Sequence, residues 1–118
     1  MTLQQTALVG AGGAMGAISR AWLVHLVKIP PWDILAINVL GSFLIGLVLG
    51  WQSEHFSPNL RLLLGTGFCG GFTTFSTFSH QTLDLMAKGK TLPALVSILA
   101  SLALCLAGTW AGIQLVQR

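Results

Sequence analysis

Charged residues are scarce in this sequence. Lys, Arg, Asp and Glu make up 8% of the 118 residues, whereas hydrophobic residues make up 53%. A soluble domain carries about 25% charged residues. Six basic and three acidic side chains cannot cover a surface that faces water. The composition therefore excludes a soluble globular domain and predicts an integral membrane protein in a lipid bilayer.

Several kinds of site and signal are missing as well. The net charge is only +3, with no basic run and no interleaving of basic and aromatic residues, so nucleic acid is not expected as a partner. Cys69 and Cys105 form no CxxC pair and lie in apolar segments, which predicts free buried thiols. The N-terminal stretch MTLQQTALVGAGG lacks a basic region and a cleavage site, so no removable signal peptide is predicted.

Four apolar segments are each long enough to cross a membrane, which takes about 20 mostly apolar residues. Short polar or proline-containing stretches separate them, namely IPPWD, SPN and KGK. The predicted spans are residues 3–27, 34–51, 60–86 and 92–116. Since the loops are too short to form domains, residues 1–118 are predicted to form a single all-α membrane domain.

The basic residues are almost balanced between the two sides of the membrane. Four spans place both chain ends on one side, together with Arg61 and Arg118, while Lys28, Lys88 and Lys90 lie on the other side. The positive-inside rule therefore gives little instruction. Either other features decide the orientation, or the chain inserts both ways and assembles as an antiparallel dimer with dual topology.

Small residues at close-packing spacing also bear on assembly. Gly12 and Gly16 form a GxxxG pair, as do Gly46 and Gly50. Such pairs let membrane helices approach closely, and the contact can lie within a protomer or between protomers. Four helices of this size can hardly enclose a water-filled path alone, so a homo-oligomer is expected.

The third span contains the least membrane-like stretch, GFCGGFTTFSTFSHQ at residues 67–81. Its glycines weaken the helix, and Gly70-Gly71 is the predicted break. A break at membrane depth is tolerated only where protein, water or an ion satisfies the freed backbone groups. A mild kink covered by neighbouring helices is the alternative. The hydroxyls that follow favour a site: Thr73, Thr74, Ser76, Thr77 and Ser79.

Four phenylalanines of this stretch have helical spacing. Phe68, Phe72, Phe75 and Phe78 follow one another at steps of four, three and three residues, which predicts one shared face. The edge of an aromatic ring is positive and can favour an anion without holding it too tightly for passage. The alternative is a stripe that serves packing alone.

Polar residues also interrupt the other spans. The Asn38 amide offers two N–H donors that suit an anion, or an interhelical hydrogen bond. Arg20 could stabilise an anion at a pore mouth, or pair with a carbonyl or a lipid phosphate. The fourth span carries four small polar residues at i, i+4 spacing. They could form the wall of a narrow polar path, or their side chains could form hydrogen bonds with the backbone of their own helix. They are Ser97, Ser101, Cys105 and Thr109.

The remaining residues exclude two other classes of protein. Asp33, Glu54 and Asp84 all lie near span ends. A proton-coupled exporter of the small multidrug type, the main alternative function, would need a carboxylate within the first span, where the only charge is Arg20. No nucleophile–base pair, metal cluster or phosphate-binding loop is present in the sequence, so an enzyme is not predicted.

Three motifs together resemble the Fluc (CrcB) fluoride channels over nearly the whole chain. GFCGGFTTFSTFS in the third span resembles the signature of the family, GAGGAMGAISR its first-span motif, and NVLGSFLIG its second-span motif. The resemblance implies a bacterial inner-membrane protein that exports fluoride by passive electrodiffusion. It implies an antiparallel homodimer with two pores and a structural sodium ion held by the backbone carbonyls of Gly70 and Thr73.

The resemblance also assigns the fluoride pore. Many family members carry Glu at the position of Gln81, so this residue is expected to act differently at the pore mouth. The implied pore residues are Arg20, Asn38, Phe75, Ser76, Thr77, Phe78, Gln81, Ser97, Ser101, Cys105 and Thr109.

Overall fold

The computed structural model describes residues 1–52 and 56–117, and every regular element within them is helical. Two residues that entered the charge analysis, Glu54 and Arg118, lie outside the described residues. The elements in chain order are α1 (Leu3–Val27), α2 (Trp32–Gly50), α3 (Pro58–Arg61), the π-helix π1 (Leu62–Cys69), α4 (Gly70–Phe72), α5 (Phe75–Ala87) and α6 (Thr91–Val116).

The helix ends follow local sequence signals. A capping box opens α1, in which Thr2 Oγ1 accepts the Gln5 N–H at 3.1 Å and Gln5 Oε1 accepts the Thr2 N–H at 2.9 Å. Ser57 caps α3 by accepting the Leu60 N–H at 3.1 Å, with Pro58 at the first helical position. Such local signals explain why the helices begin and end close to the predicted spans.

Within the described ranges 1–52 and 56–117, three helices are long and apolar enough to cross a membrane, namely α1, α2 and α6. Large apolar side chains on their outer faces are exposed, as at Leu26, Leu92 and Trp110. The third segment, residues 58–87, is apolar but interrupted. The chain is therefore an all-helical, multi-pass membrane protein with one broken segment.

Glycines bring α1 against the third segment. A Cβ added at Gly12 would collide with the backbone carbonyl of Leu63, and one added at Gly16 with that of Phe68. Both carbonyls belong to π1, a wider helix type that is uncommon outside functional regions. The first GxxxG pair therefore packs within the protomer.

A second set of glycines joins α2 to α6. A Cβ at Gly46 would collide with the carbonyl of Thr109, and a Cβ at Gly112 with the carbonyl of Phe43. Gly50 lies against Ile113 in the same way. The second GxxxG pair thus also packs within the protomer. Below, these two contacts, Gly12 and Gly16 on π1 and Gly46 and Gly112 between α2 and α6, are called the glycine seams.

The break in the third segment lies at Thr73 and Thr74, so the predicted position at Gly70-Gly71 is wrong. Gly70 is helical, with φ −62° and ψ −40°. Thr73 (φ −88°, ψ 155°) and Thr74 (φ −150°, ψ 117°) are extended. A Cβ at Gly71 would collide with the backbone of Gly13 on α1. Gly71 is therefore needed for close approach and does not interrupt the helix.

The break also divides the phenylalanines into two pairs, so the predicted single face is wrong. Phe68 and Phe72 stack with ring centroids 5.6 Å apart, and Phe75 and Phe78 lie 5.3 Å apart. Phe72 is buried in the core with Ile34, whereas Phe75 is 76% exposed. Phe78 nevertheless packs together with Phe68 against the cluster that contains Phe72, so Phe75 alone is turned out of the shared face.

Candidate functional site

Asn38 of α2 satisfies the backbone at the break. Its Oδ1 accepts the Thr74 N–H at 2.9 Å, and its Nδ2 donates to the Thr74 carbonyl at 3.2 Å. One amide side chain thus replaces both helical hydrogen bonds that an extended residue gives up, which membrane depth requires. Asn38 therefore forms the interhelical hydrogen bonds that were one of its two predicted roles. Since Nδ2 carries two N–H groups, one remains for a further acceptor.

Thr74 then starts α5 as its N-cap. Its Oγ1 accepts the Thr77 N–H at 3.2 Å, and it lies 3.1 Å from Ser76 Oγ and 3.3 Å from Thr77 Oγ1. Threonine is a favourable N-cap because its oxygen satisfies an unpaired N–H of the first turn. Ser76 and Thr77 therefore belong to a hydroxyl cluster around this cap, and their role in a pore stays a prediction.

The break frees the carbonyls of Gly70 and Thr73 from their helical donors. In a continuous helix these carbonyls would accept the N–H groups of Thr74 and Thr77. Those two N–H groups bond to Asn38 Oδ1 and to Thr74 Oγ1 instead. Unwound carbonyls at broken membrane helices are suitable ligands for a sodium ion. The two residues predicted as sodium ligands thus have backbone oxygens of the right chemistry.

Arg20 contacts the other side of the same break. Its Nε donates to the carbonyl of Gly71 at 3.2 Å, and the side chain is partly buried. The cation therefore satisfies a carbonyl at the C-terminal end of α4, where a positive charge is favourable. Of the two readings of Arg20, contact with a backbone carbonyl is present in the protomer.

A cavity of about 550 Å³ opens beside the break. It lies between α2, π1, α5 and α6, and the described residues around it carry no charged side chain. The lining consists of Asn38, Gly41, Ser42, Ile45, Gly65, Thr66, Cys69, Gly70, Thr73, Thr74, Phe75, Phe78, Ser101, Leu102, Cys105 and Leu106. The structure thus gathers the second-span amide, both later phenylalanines, the two residues predicted as sodium ligands and part of the α6 stripe.

The α6 stripe faces three environments. Ser101 and Cys105 line the cavity. Thr109 donates to the carbonyl of Ser42 at 3.0 Å and so joins α6 to α2. Ser97 is 1% exposed and its hydroxyl has no hydrogen-bond partner in the part of the chain that the structure describes. The pore roles of Ser97 and Thr109 stay predictions.

Gln81 lies away from the cavity lining, on the second turn of α5. Its Nε2 donates to Asp33 Oδ1 at 3.4 Å. Its Oε1 is buried without a partner among the described residues, as are the hydroxyl oxygens of Ser97 and Ser101. Native proteins leave few buried polar atoms unpaired, so each of these three oxygens could accept a hydrogen bond from water, and the pore roles of the three residues stay predictions.

Nine of the lining residues were not among the predicted site residues, and two of these, Ser42 and Thr66, carry hydroxyls on α2 and π1. Ser42 follows Asn38 by one helical turn, and that spacing could have identified it. Thr66 lies between Gly65 and Gly67 in π1, where no sequence pattern indicates the widened helix. Its place in the lining depends on tertiary packing.

Sequence comparison gives the family. Residues 7–113 match the model of the family described as "CrcB-like protein, Camphor Resistance (CrcB)". The chain belongs to this family. The CrcB match and the four predicted spans agree over almost the same residues, which confirms the resemblance carried by the three motifs.

Curated relatives of this CrcB chain come from several bacteria. One from Geobacter sulfurreducens is 46% identical over 113 residues, covering 90% of this chain and 91% of the relative. One from Shewanella sp. (strain ANA-3) is 44% identical over 117 residues, covering 92% and 93%. One from Campylobacter jejuni (strain RM1221) is 45% identical over 111 residues, covering 89% and 91%. Each is named "Fluoride-specific ion channel FluC".

These names place the relatives in a class of proteins without enzymatic activity, which confirms the prediction that the chain is not an enzyme. They also agree with the multi-pass membrane architecture described above. The proton-coupled exporter is not favoured, because the family and its named relatives are of another kind.

Proposed function

We propose that this protein is a fluoride-selective channel that lets fluoride leave the cell across the bacterial inner membrane by passive electrodiffusion, thereby reducing fluoride toxicity in the cytoplasm. The observation that carries the proposal is the uncharged cavity at the Asn38-bridged break. The relatives of this chain, named as fluoride-specific channels and aligned over nine-tenths of its length, support the choice of ion.

The chemistry of the lining suits a small anion that must also leave. Fluoride loses strong hydration on entering the protein, and hydroxyl and amide N–H donors can replace that water. The free N–H of Asn38 and the Ser101 hydroxyl are such donors, and the edges of Phe75 and Phe78 add weak positive potential. A conducting site needs binding that is weak and spread over several positions, which a lining without fixed charge provides.

The channel is proposed to assemble as an antiparallel homodimer. The balanced basic residues support insertion in both orientations. Phe75, at the cavity, is 76% exposed on the isolated protomer, so a partner could complete the pathway around it. Single-cysteine variants labelled from each side of the membrane test the topology. Equal labelling of one position from both sides is expected, and labelling from one side alone would contradict it.

A structural sodium ion is proposed at the carbonyls of Gly70 and Thr73. When bound, it would supply a positive charge that holds the two halves of the third segment together. Arg20 and Asn38 hold the neighbouring carbonyls of Gly71 and Thr74 in place by hydrogen bonds. Replacing sodium by N-methylglucamine in the purification buffer is expected to lower the unfolding temperature of the dimer, and potassium serves as the control for ionic strength. Equal unfolding temperatures in all three would contradict the site.

Fluoride efflux from vesicles tests the function itself. Vesicles containing purified protein are loaded with potassium fluoride, and release is followed with a fluoride electrode after addition of valinomycin, which carries the compensating charge. Fast release that depends on valinomycin is expected, with negligible release of chloride from parallel vesicles. Release that requires a proton gradient would favour the exporter, and no release from folded dimer would overturn the proposal.

A further inference from the structure

Asp33 is a carboxylate buried at the start of α2. The residue is 4% exposed, whereas acidic residues are almost never fully buried without a partner. Its Oδ1 accepts the Ile34 N–H at 2.7 Å and the Gln81 Nε2–H at 3.4 Å. The positive end of the α2 dipole also favours its negative charge. The carboxylate thus joins the beginning of α2 to α5.

The contact with Asp33 determines which end of the Gln81 amide faces inward. An amide offers donors on its nitrogen and an acceptor on its oxygen, and a half-turn exchanges them. The Asp33 Oδ1 accepts the Gln81 Nε2–H, so Nε2 faces Asp33. The reverse orientation would place two acceptors against each other. Gln81 Oε1 therefore points away from Asp33, into the place where it is buried without a partner.

Two hydroxyls of α6 lie at or beyond the depth of Gln81. α5 and α6 pack against each other and are joined by the turn at Gly89. Gln81 lies six residues before the end of α5 and Ser97 six residues after the start of α6, so both lie about 9 Å from the turn at 1.5 Å per residue. Ser101 follows one turn further on and lines the cavity. The oxygens of Gln81 and Ser97, both buried without a partner among the described residues, are thus at about the same depth, one helical turn from a residue of the cavity lining.

We propose that Asp33 is a positioning residue of the conduction pathway and acts through Gln81. By fixing the amide, it presents Oε1 to the hydroxyl or water donors at the depth of Ser97. A water that donates one O–H to Gln81 Oε1 has its other O–H available for an anion in the pathway. The position of Oε1 therefore determines the direction in which the second O–H of that water points. This inference rests on the proposed fluoride conduction.

Exchanging the carboxylate at position 33 and the amide at position 81 tests the contact between Asp33 and Gln81. Asp33→Asn keeps an oxygen that can accept the Ile34 N–H, but it lets the Gln81 amide turn. We expect fluoride efflux to fall by about tenfold, the size of effect that one charge-assisted hydrogen bond has on a rate. Gln81→Glu sets two carboxylates against each other and should also slow efflux. In the double variant, an amide at position 33 donates to a carboxylate at position 81, whose other oxygen still faces the donors, so efflux should return close to the wild-type rate.

Asp84→Asn is the matched control, because Asp84 is an exposed carboxylate of the same helix that pairs with Lys88 at 2.7 Å. Its efflux should equal that of the wild type. Gln81→Met leaves the hydrogen bond from the Ile34 N–H to Asp33 in place and removes the amide. It therefore tests the proposal even if Asp33→Asn does not fold. Dimer content by size-exclusion chromatography is measured for every variant.

The outcomes separate this inference from the proposed function. Wild-type efflux in folded Asp33→Asn or in Gln81→Met would overturn the inference alone. A double variant as slow as its single parents would do the same, because a merely structural Asp33 predicts no rescue. Wild-type vesicles that release no fluoride would overturn the proposed function and the inference with it.

Discussion

The glycine seams and the break in the third segment join neighbouring helices in opposite ways. At the seams, Gly12 and Gly46 let one helix backbone lie directly on another, and no side chain intervenes. At the break, the backbone is extended, and the Asn38 side chain on α2 forms hydrogen bonds with the N–H and the carbonyl of Thr74. The glycines of the seams thus mark packing, whereas a polar side chain bonded to extended backbone marks the candidate site.

This difference implies that the two regions should fail differently when altered. A larger residue in a seam pushes two helices apart and damages the fold. A polar or aromatic residue removed near the break leaves the helices packed and alters what the cavity can hold. Fold and conduction can therefore be measured separately, by the yield of folded protein and by fluoride efflux.

The largest effect on folding is expected from Gly16→Leu. Its side chain would collide with the carbonyl of Phe68, a backbone atom that cannot move without displacing π1. Overpacking costs about 1–3 kcal/mol or more, and we expect little or no folded protein by size-exclusion chromatography. Gly10→Leu on the same helix is the matched control, since a Cβ there meets nothing within 4 Å. Equal yields of folded protein from both variants would show that the seam tolerates separation.

The largest effect on conduction is expected from Phe75→Ile and Phe78→Ile. Isoleucine retains apolar bulk but has no positive ring edge, so efflux should fall by at least about tenfold, corresponding to about 1.4 kcal/mol in the barrier. The yield of folded protein should stay close to that of the wild type for Phe75→Ile, because Phe75 is exposed on the isolated protomer and lies outside its core. Phe68→Ile, at a ring outside the cavity lining, is the control for losing an aromatic side chain. Unchanged efflux in both cavity variants would remove the rings from the mechanism.

Asn38→Asp is expected to affect conduction strongly and stability moderately. The carboxylate can still accept the Thr74 N–H but cannot donate to the Thr74 carbonyl, and it brings a negative charge to the cavity. An unpaired buried carbonyl costs about 1–3 kcal/mol. We expect a lower unfolding temperature and very slow fluoride efflux. A variant with normal efflux would mean that Asn38 serves the backbone alone and faces no anion.

The helices were predictable from sequence because their signals are local. Apolar runs of spanning length, the proline pair at Pro30 and Pro31, and caps such as Ser57 each act within a few residues. The position of the break depends on Asn38, which is 36 residues away from Thr74 in the chain. The glycines next to the break were interpreted as its cause, although Gly71 packs on α1. No local pattern distinguishes a glycine that breaks a helix from one that lets another helix approach.

The α6 stripe illustrates a second limit of sequence reasoning. Four residues rotate a helix by about 40° beyond a full turn, so a row at i, i+4 spacing winds around the helix by about 120° over three steps. Ser101 and Cys105, in the middle of the row, face the cavity. Ser97 and Thr109, at its ends, are not in the cavity lining, and Thr109 contacts α2. The winding of the helix explains why only the middle of the stripe lines the cavity, and the pore roles of all four residues stay predictions.

The smallest effect is expected from Thr109→Val, and its comparison with Ser101→Ala sharpens the distinction between packing and pathway. Thr109 donates to the Ser42 carbonyl, and hydrogen bonds between membrane helices contribute about 0.6 kcal/mol on average. Its loss should lower the unfolding temperature slightly and leave efflux unchanged. Ser101→Ala removes a buried hydroxyl that has no partner among the described residues, so it should cost no stability and slow efflux instead. If Thr109→Val slowed efflux as much as Ser101→Ala, the pathway would follow the whole α6 stripe and the Ser42 contact would have to open during conduction.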